Sequence, residues 1–219
     1  MFEETVERLG TAIRTGILPA GSQLPSERTL ADELGISRST LRQALTTLVQ
    51  SGHLVAQRGR SGGTFVTDQP PLADERDKPL GADAWEVLDY RVAIETGATL
   101  LASERAEADN LDRLDELVER MLEVHDFEVY RRADIRFHIG LAEAAGSPRL
   151  VSAMTEVQGR MSELITRIAH PPEVLTHAND QHRRLVSALR RHDEALAARV
   201  MTEHLRGTEH VLAGLLPRA

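Results

Sequence analysis

Four side chains in the second half of this sequence are of types that bind metal ions: Asp134, His138, His182 and His204. Asp134 and His138 are four residues apart, so both project from one face if they lie on a helix. His182 and His204 are equally far along the chain from residue 193, so they lie at matching heights if two antiparallel helices meet there. One carboxylate and three imidazoles can bind a divalent ion in the core of a helical bundle. The spacing therefore predicts a metal site with three nitrogen ligands and one oxygen ligand.

Spacing alone leaves a second interpretation equally open, because a single histidine is more often a surface residue or a satisfied core residue. The chain has nine histidines. Three of them are predicted at helix ends, where a cation suits the helix dipole: His125, His170 and His192. Three more show no ligand spacing in the sequence and are predicted to be structural: His53, His177 and His210. The ligand set suits zinc, nickel, cobalt, iron or manganese, and zinc or nickel is the divalent ion that we expect first.

A second polar set lies near the N-terminus and is suited to nucleic acid. Arg38 and Arg42 are four residues apart on the polar face of a predicted helix that Ser37 can cap. In a helix-turn-helix, the N-terminal part of the second helix enters the major groove, where arginine can bond guanine O6 and N7. Ser37 and Thr40 are short donors for phosphate oxygens. These positions predict a DNA-reading helix, although an ordinary solvated helix face would show the same pattern.

Three helices and a hairpin are the elements that would position these arginines. Apolar residues recur at helical spacing from Phe2 to Ile13, then in a helix capped by Ser26 and closed by Gly35, then in a helix after Ser37. Two short strands, His53–Gln57 and Thr64–Thr67, flank a glycine-rich turn. We interpret this order as a winged helix-turn-helix, with Arg58 and Gly59 in the wing.

The second half is predicted to be an all-helical antiparallel bundle of about six helices, so the fold class is mostly α. The predicted helices follow one another with short breaks: 83–105, 109–124, 127–145, 148–169, 173–191 and 194–214. Residues 68–82 are rich in proline and lack apolar periodicity, which is typical of a linker. We therefore predict a DNA-binding domain over 1–67, a linker over 68–82 and a helical domain over 83–219 for dimerisation and for effector and metal binding.

The composition excludes several other classes of protein. The 219 residues include no cysteine, which excludes a disulfide scaffold, a thiolate zinc finger and a cysteine nucleophile. The first residues lack the pattern of a signal peptide, and no run approaches roughly 18 uncharged apolar residues. We therefore expect a cytoplasmic protein with no membrane span.

The net charge of −8 at first argues against nucleic acid as a partner. Residues 1–67, however, carry 7 basic and 6 acidic side chains, whereas residues 68–219 carry 19 basic and 28 acidic ones. All five basic residues between 26 and 66 are arginines. The acidity belongs to the predicted bundle, so the total charge does not exclude a DNA-binding N-terminal part.

Three segments give the N-terminal part a specific resemblance: Ile13–Ala31, Leu34–Leu45 and Gly63–Val66. Residues 6–67 resemble the GntR family of transcriptional regulators. The wing turn at Ser61–Gly63 is longer than is usual in the family, so the wing contacts follow less closely from the resemblance than the helix contacts do. The resemblance implies that these residues contact an operator or support the contact: Arg28, Ser37, Arg38, Thr40, Arg42, Arg58 and Gly59.

Residues 83–214 are similar to the FCD ligand-binding domain of the FadR subfamily. The similarity rests on Arg91–Glu95, Asp134–His138, Gly146, His182 and His204. In the metal-binding branch of that subfamily the residues matching Asp134, His138, His182 and His204 hold a divalent metal, whose open positions take water or a carboxylate effector.

The same resemblance implies that Arg91 lines the effector pocket, where a guanidinium could clamp an anion. The alternative for Arg91 is an ion pair with Glu95, four residues further on. Asn179 and Arg183 flank His182 and are weaker candidates for effector contacts.

The resemblance implies a ligand-responsive, DNA-binding transcriptional regulator that is not an enzyme. We predict a homodimer on a palindromic DNA operator, acting as a repressor that a small carboxylate effector releases. One alternative is a metal-dependent hydrolase, since an open metal position can activate water. No second carboxylate has the spacing of a general base, and a hydrolase would leave the DNA-reading half unexplained. The other alternative is the same regulator with a structural metal or none.

Overall fold

The computed structural model describes residues 1–59, 62–69, 82–124, 126–166, 168 and 170–215. Within these residues the chain is mostly helical, with one small antiparallel sheet. The elements are α1 (Phe2–Arg14), α2 (Glu27–Leu34), α3 (Arg38–Gln50), β1 (Leu54–Gln57), β2 (Gly63–Val66), α4 (Ala82–Arg105), α5 (Ala108–Glu123), α6 (Phe127–Ala144), α7 (Pro148–Ile165), α8 (Pro172–Arg190) and α9 (Glu194–Leu215). The predicted fold class is confirmed.

Contacts divide the described residues into two compact units. The winged unit contains those within Met1–Ala82, Ile165–Val174 and Gly207–Ala219, and the helical unit contains those within Asp83–Leu164 and Leu175–Arg206. Most of the predicted linker, residues 70–81, lies outside the described residues, and the proposed domain boundaries stay a prediction. No helix in the described part of the chain combines the length and the apolar character that a membrane crossing requires.

Helices α2 and α3 form the predicted helix-turn-helix because their ends carry strong local signals. Ser26 Oγ accepts a hydrogen bond from the backbone N–H of Thr29, and Ser37 Oγ accepts one from that of Thr40. Gly35 closes α2 with a φ of 67°, a left-handed conformation that suits glycine. The wing follows as β1 and β2, which pair from Leu54 opposite Val66 to Gln57 opposite Gly63.

The core of the winged unit extends beyond the predicted winged domain. Val211 and Leu215, at the end of α9, belong to the same apolar cluster as the buried residues of α1 and α3. A Cβ added to Gly10 of α1 would lie 2.2 Å from the carbonyl oxygen of Gly214, so only glycine permits this close approach. Arg14 donates to the carbonyl oxygens of Ala213 and Gly214 over 2.9 Å each. The end of α9 is therefore an integral part of this unit.

The helix boundaries of the second half agree with the predictions within one residue, except for α7. The sequence predicts a helix over 148–169, but α7 ends at Ile165. The His170 ring nitrogen lies 2.8 Å from the carbonyl oxygen of Ile165, which a continuing helix would use for its own ladder. The prolines at 171 and 172 also disfavour helical backbone in the residues before them. The prediction for the end of this helix was wrong for that reason.

Candidate functional site

The core of the helical unit holds a cluster of three histidines from three helices. His138 of α6, His182 of α8 and His204 of α9 are each at most 5% exposed. One ring nitrogen of each lies within 4.8 Å of one ring nitrogen of the others. The ring centroids are 4.6 to 5.4 Å apart. The structure therefore brings together the three histidines that the sequence singled out.

Asp134 lies one helical turn before His138 and reaches the same cluster. Its Oδ1 lies 3.6 Å from Nε2 of His182 and 3.8 Å from Nε2 of His138. Its other carboxylate oxygen accepts a hydrogen bond from Nη1 of Arg131, three residues earlier on α6. Asp134 is thus held with Oδ1 toward the histidines.

Helix α4 contributes an ion pair beside the cluster. Arg91 Nε donates to Glu95 Oε1 over 2.8 Å, so the predicted ion pair between these residues is present. Nη2 of Arg91 lies 3.3 Å from Nε2 of His204. Nη1 of Arg91 is buried, and no described residue offers it a hydrogen-bond acceptor. Arg91 therefore keeps one unused donor next to the histidines even though its Nε is committed to Glu95.

The ring nitrogens of two histidines have defined neighbours that set their roles. Because arginine only donates, His204 Nε2 must present its lone pair to Arg91, and Nδ1 carries the proton toward Gln181 Oε1, 3.0 Å away. Glu95 Oε2 lies 2.8 Å from His138 Nδ1, at ion-pair distance but without the alignment of a full hydrogen bond. In both rings Nε2 carries the lone pair: that of His138 has no hydrogen-bond partner among the described residues, whereas that of His204 accepts from Arg91.

Burial keeps His182 and His204 neutral at neutral pH, and nearby positive groups keep Asp134 and Glu95 charged. Burial lowers the pKa of His182 to about 3 and that of His204 well below its usual value. Burial alone would raise the pKa of Asp134, but the charge of Arg131 and the neighbouring histidines lower it. For Glu95 the effect of burial is likewise outweighed, chiefly by the charge of Arg91, and its pKa falls to about 2.

A divalent cation fits this set of residues. Nε2 of His138 and both ring nitrogens of His182 are buried and have no hydrogen-bond partner among the described residues. Buried polar atoms of this kind are rare and require an explanation such as a bound ion. Three imidazoles and one carboxylate are suitable ligands for zinc and for other divalent first-row ions.

The two weaker effector candidates on α8 have different surroundings. Asn179 is 2% exposed and donates from Nδ2 to the carbonyl oxygen of Val118, while its Oδ1 lacks a hydrogen-bond partner in the described part of the chain. Arg183 is exposed and bonds to Asp180, so the structure does not bring its guanidinium to the cluster.

The remaining histidines lie away from the cluster or outside the described residues. His170 and His192 bond to backbone carbonyls near helix ends. Nδ1 of His210 lies 2.6 Å from Oε2 of Glu7. His53 is buried in the winged unit. His125 is not among the described residues.

Sequence reasoning missed several residues that surround the cluster: Arg131, Gln158 and Gln181 were not predicted, and Glu95 was considered only as a partner of Arg91. Arg131 and Asp134 share a helix face at a spacing of three, a signal that was available in the sequence. Gln158 and Gln181 lie on other helices than the residues they bond, so no spacing could reveal them.

The candidate DNA-contacting residues lie at the surface of the winged unit. Arg28, Ser37, Arg38 and Arg42 are exposed, and Thr40 is half-buried. Ser37 Oγ caps α3, so its position at the helix N-terminus is set by this bond. The guanidinium of Arg42 bonds to Glu27 of α2 over 2.8 Å, a partner that the sequence reasoning did not predict. This exposed ion pair also raises the pKa of Arg42.

The wing presents Arg58 and Gly59, both exposed, beyond the last strand pair. Gly59 has a φ of 117°, which only glycine adopts readily, and its carbonyl oxygen accepts a hydrogen bond from the N–H of Gly62. Arg58 is therefore exposed directly before a glycine whose backbone conformation other residues rarely adopt. Arg60 and Ser61 lie outside the described residues.

The fold and the two candidate sites define a class of protein: a winged-helix DNA-binding protein with a helical ligand-binding domain. The profile of "Bacterial regulatory proteins, gntR family" matches residues 2–66, and that of the "FCD domain" matches residues 86–207. The chain belongs to the GntR family of bacterial regulatory proteins and carries an FCD domain, as in the FadR subfamily. It is a ligand-responsive DNA-binding transcriptional regulator and not an enzyme, so the hydrolase alternative is set aside.

Named relatives and solved structures agree with this assignment. The chain is 38% identical over 212 residues to a Mycobacterium gastri protein named as a candidate HTH-type transcriptional regulator, RmpR, covering 92% of this chain and 76% of that one. It is 32% identical to an Escherichia coli protein named as a candidate regulatory protein of the L-lactate dehydrogenase operon, covering 94% and 83%. The solved structure of Escherichia coli McbR/YncC matches with a TM-score of 0.55 at 21% identity, covering 97% of each chain. At that identity the match shows the fold alone.

Proposed function

We propose that this regulator holds a divalent metal ion through Asp134, His138, His182 and His204, and that a small carboxylate effector binds at the ion. The observation that carries the proposal is that buried nitrogens of His138 and His182 have no hydrogen-bond partner among the described residues and lie beside one oxygen of Asp134, with His204 in the same cluster. When bound, the metal supplies positive charge and open positions for an oxygen ligand.

The charges around the cluster favour an anionic effector. Arg91 and Arg131 balance Glu95 and Asp134, and an imidazole that binds a metal does so in its neutral form. A divalent ion therefore leaves two uncompensated positive charges in a buried environment, where unpaired charge is costly. A carboxylate offsets one of these two charges, and the unused Nη1 of Arg91 is available to donate to it. Asn179 is a second candidate contact, because its unused Oδ1 can accept from a donor group such as a hydroxyl elsewhere on the effector, although not from the carboxylate.

The proposal assigns operator binding to Arg28, Arg38 and Arg42, with Ser37 and Thr40 in support and Arg58 and Gly59 in the wing. Exposed arginines at the start of a recognition helix suit bases and phosphates in the major groove. We further propose a homodimer on a palindromic operator, because two half-sites give a specificity that one small domain does not. Since a bacterial operator lies in the cytoplasm, the proposal places the protein there.

We propose that the regulator is a repressor and that the effector releases it from DNA. The effector must then bind more tightly to the free protein than to the operator complex, because only differential affinity can shift the equilibrium. The name of the Escherichia coli relative refers to an L-lactate dehydrogenase operon. L-lactate is therefore the first of the small carboxylates that we would test.

The metal part of the proposal is tested by elemental analysis of protein purified without chelators from metal-replete cells. We expect about one divalent ion per chain in the wild type and in His177→Ala, and much less in His182→Ala. His177 is the matched control because it lies on α8 with His182 but outside the histidine cluster. A folded wild-type protein with well under one ion per chain would overturn the metal site.

The effector part is tested with the metal-loaded protein and a panel of small organic acids including L-lactate. Thermal-shift measurements identify binders, and fluorescence anisotropy then follows a labelled duplex that the protein itself selects from random sequence. We expect at least one acid to raise the melting temperature and release the duplex, and Arg91→Ala to abolish both effects. If metal is bound but no acid does either, the ion is structural and the effector proposal is wrong.

A further inference from the structure

A chain of buried side chains connects two of the proposed metal ligands through three helices. Gln158 of α7 is 1% exposed, and its Nε2 donates to Glu95 Oε1 over 2.9 Å. Its Oε1 accepts from Arg131 Nη2 over 3.2 Å. Glu95 lies against His138, and Arg131 bonds to Asp134. The amide of Gln158 therefore joins Glu95, which lies against the ligand His138, to Arg131, which bonds to the ligand Asp134.

The chemistry of these groups permits only one arrangement of the Gln158 amide. A carboxylate only accepts and a guanidinium only donates, so the NH₂ group must face Glu95 and the oxygen must face Arg131. A flipped amide would place donor against donor and acceptor against acceptor, with the unpaired groups buried.

This arrangement determines which ligand atoms remain available. Glu95 Oε1 is occupied by Arg91 and Gln158, so Oε2 is the oxygen that faces His138 Nδ1. A proton on Nδ1 leaves Nε2 with its lone pair. Arg131 likewise takes one oxygen of Asp134 and leaves Oδ1, which lies 3.6 Å from Nε2 of His182.

We propose that Gln158 is a positioning residue for the metal: by joining Glu95 to Arg131, it holds Nε2 of His138 and Oδ1 of Asp134 toward the ion. This inference rests on the metal site proposed above. Groups that orient metal ligands typically contribute about 10–100-fold to metal affinity. Glu95 and Arg131 act in the same way, each on one ligand, and Gln158 couples the two.

The test compares Gln158→Met with wild-type protein in a competition between the full-length chain and a chromophoric zinc chelator. Methionine has a similar length and volume but provides neither the donor nor the acceptor. We expect the zinc affinity to fall about 10–100-fold and the visible absorption spectrum of the cobalt-loaded protein to change. The spectrum reports the geometry around the ion, which a role in stability alone would not alter.

The matched control is Met161→Ala, another buried position on α7 that takes no part in the chain of hydrogen bonds. It should lower the melting temperature yet leave the zinc affinity of the folded protein and the cobalt spectrum unchanged. An equal loss of zinc affinity in Met161→Ala would overturn the inference, because general loosening of the core would then explain both results.

A second variant keeps the inference testable if Gln158→Met does not fold. Glu95→Gln removes one of the two carboxylate oxygens, so it should weaken zinc binding by a similar factor. Where Gln158→Met does fold, the double variant should bind zinc only slightly less tightly than the weaker-binding single variant, because both substitutions act through one chain of hydrogen bonds. Wild-type protein that binds no zinc would overturn the proposed function itself. Zinc binding at wild-type affinity by Gln158→Met or by Glu95→Gln would overturn only this inference.

Discussion

The winged unit and the helical unit both use arginines beside carboxylates, but under opposite conditions. Arg42 pairs with Glu27 at the surface, where the arginine side chain is 62% exposed. Arg91 pairs with Glu95 in the core, where the two side chains are 5% and 0% exposed. The first pair is surrounded by water and salt, and the second is fixed among histidines. The same two residue types therefore do different work in the two units.

The difference shows how each unit is prepared for its partner. An exposed ion pair contributes little to stability, so separating Arg42 from Glu27, as the proposed DNA contact requires, costs little free energy. A buried pair cannot be opened cheaply, since each partner would be left charged and unpaired. The buried pair is therefore fixed in place beside the proposed metal site, whereas the surface pair of the winged unit stays free to rearrange.

Metal removal should have the largest effect, and it should be confined to the helical unit. Free metal at about 1,000 times its dissociation constant stabilises the binding-competent fold by about 4 kcal/mol. Stripping the ion should therefore accelerate amide hydrogen exchange in α6, α8 and the part of α9 around His204. Mass spectrometry of peptides with and without chelator measures this. Similar acceleration in α2 and α3 would break the distinction between the two units.

Acid should reveal the next largest effect, in the winged unit. His53 is 2% exposed, and burial followed by the charge of Arg14 lowers its pKa to about 4. The unfolded chain, with a histidine pKa near 6.5, binds more protons between these values. The contribution of neutral His53 to the free energy of unfolding is therefore fully present above pH 6.5 and is lost as the pH falls toward 4. Over this range the free energy of unfolding falls by about 3 kcal/mol.

The measurement is the free energy of unfolding by urea from pH 7 to pH 4, in wild type and His53→Gln. The neutral variant should start less stable and lose less stability as the pH falls. The comparison between variants is needed because the lowered pKa values of His182 and His204 in the helical unit also make stability depend on pH. Identical pH profiles would show that His53 does not titrate as its burial requires.

Arg42→Ala tests the surface role of the winged unit. Because the side chain is exposed, the melting temperature should stay within about two degrees of wild type. Affinity for a duplex selected by the wild-type protein should fall about 10–100-fold, the range expected for losing an arginine–guanine contact. Fluorescence anisotropy at fixed salt measures this. Unchanged affinity would remove Arg42 from the DNA interface.

Glu27→Gln should change the affinity for DNA least, and it should raise this affinity where Arg42→Ala lowers it. The substitution releases Arg42 and removes a negative charge near the phosphates, so affinity for the same duplex should rise by less than about tenfold. Weaker binding would mean that Glu27 orients Arg42 for DNA instead of competing with it.

Local signals account for most of the fold. The serine caps at 26 and 37, the left-handed Gly35 and the apolar spacing of each helix are properties of short segments, and they predicted α2, α3 and the order of the later helices. The end of α7 was missed because a contact from His170 stops it. The packing of α9 on α1 was missed because it depends on the approach of Gly10 to Gly214, far apart in the chain.

The sequence by itself determined which residues could bind a metal and which could contact DNA, because helix periodicity places Asp134 with His138 and Arg38 with Arg42. Only the tertiary structure decided that His182 and His204 lie beside Asp134 and His138. It also decided that Arg91 retains a donor unused by the described residues, and that Gln158 connects Glu95 to Arg131. The physical reason is distance along the chain. Apolar and polar spacing predicts which residues share a face of one helix. The hydrogen-bond partners of a buried polar atom, however, depend on how other helices pack against it.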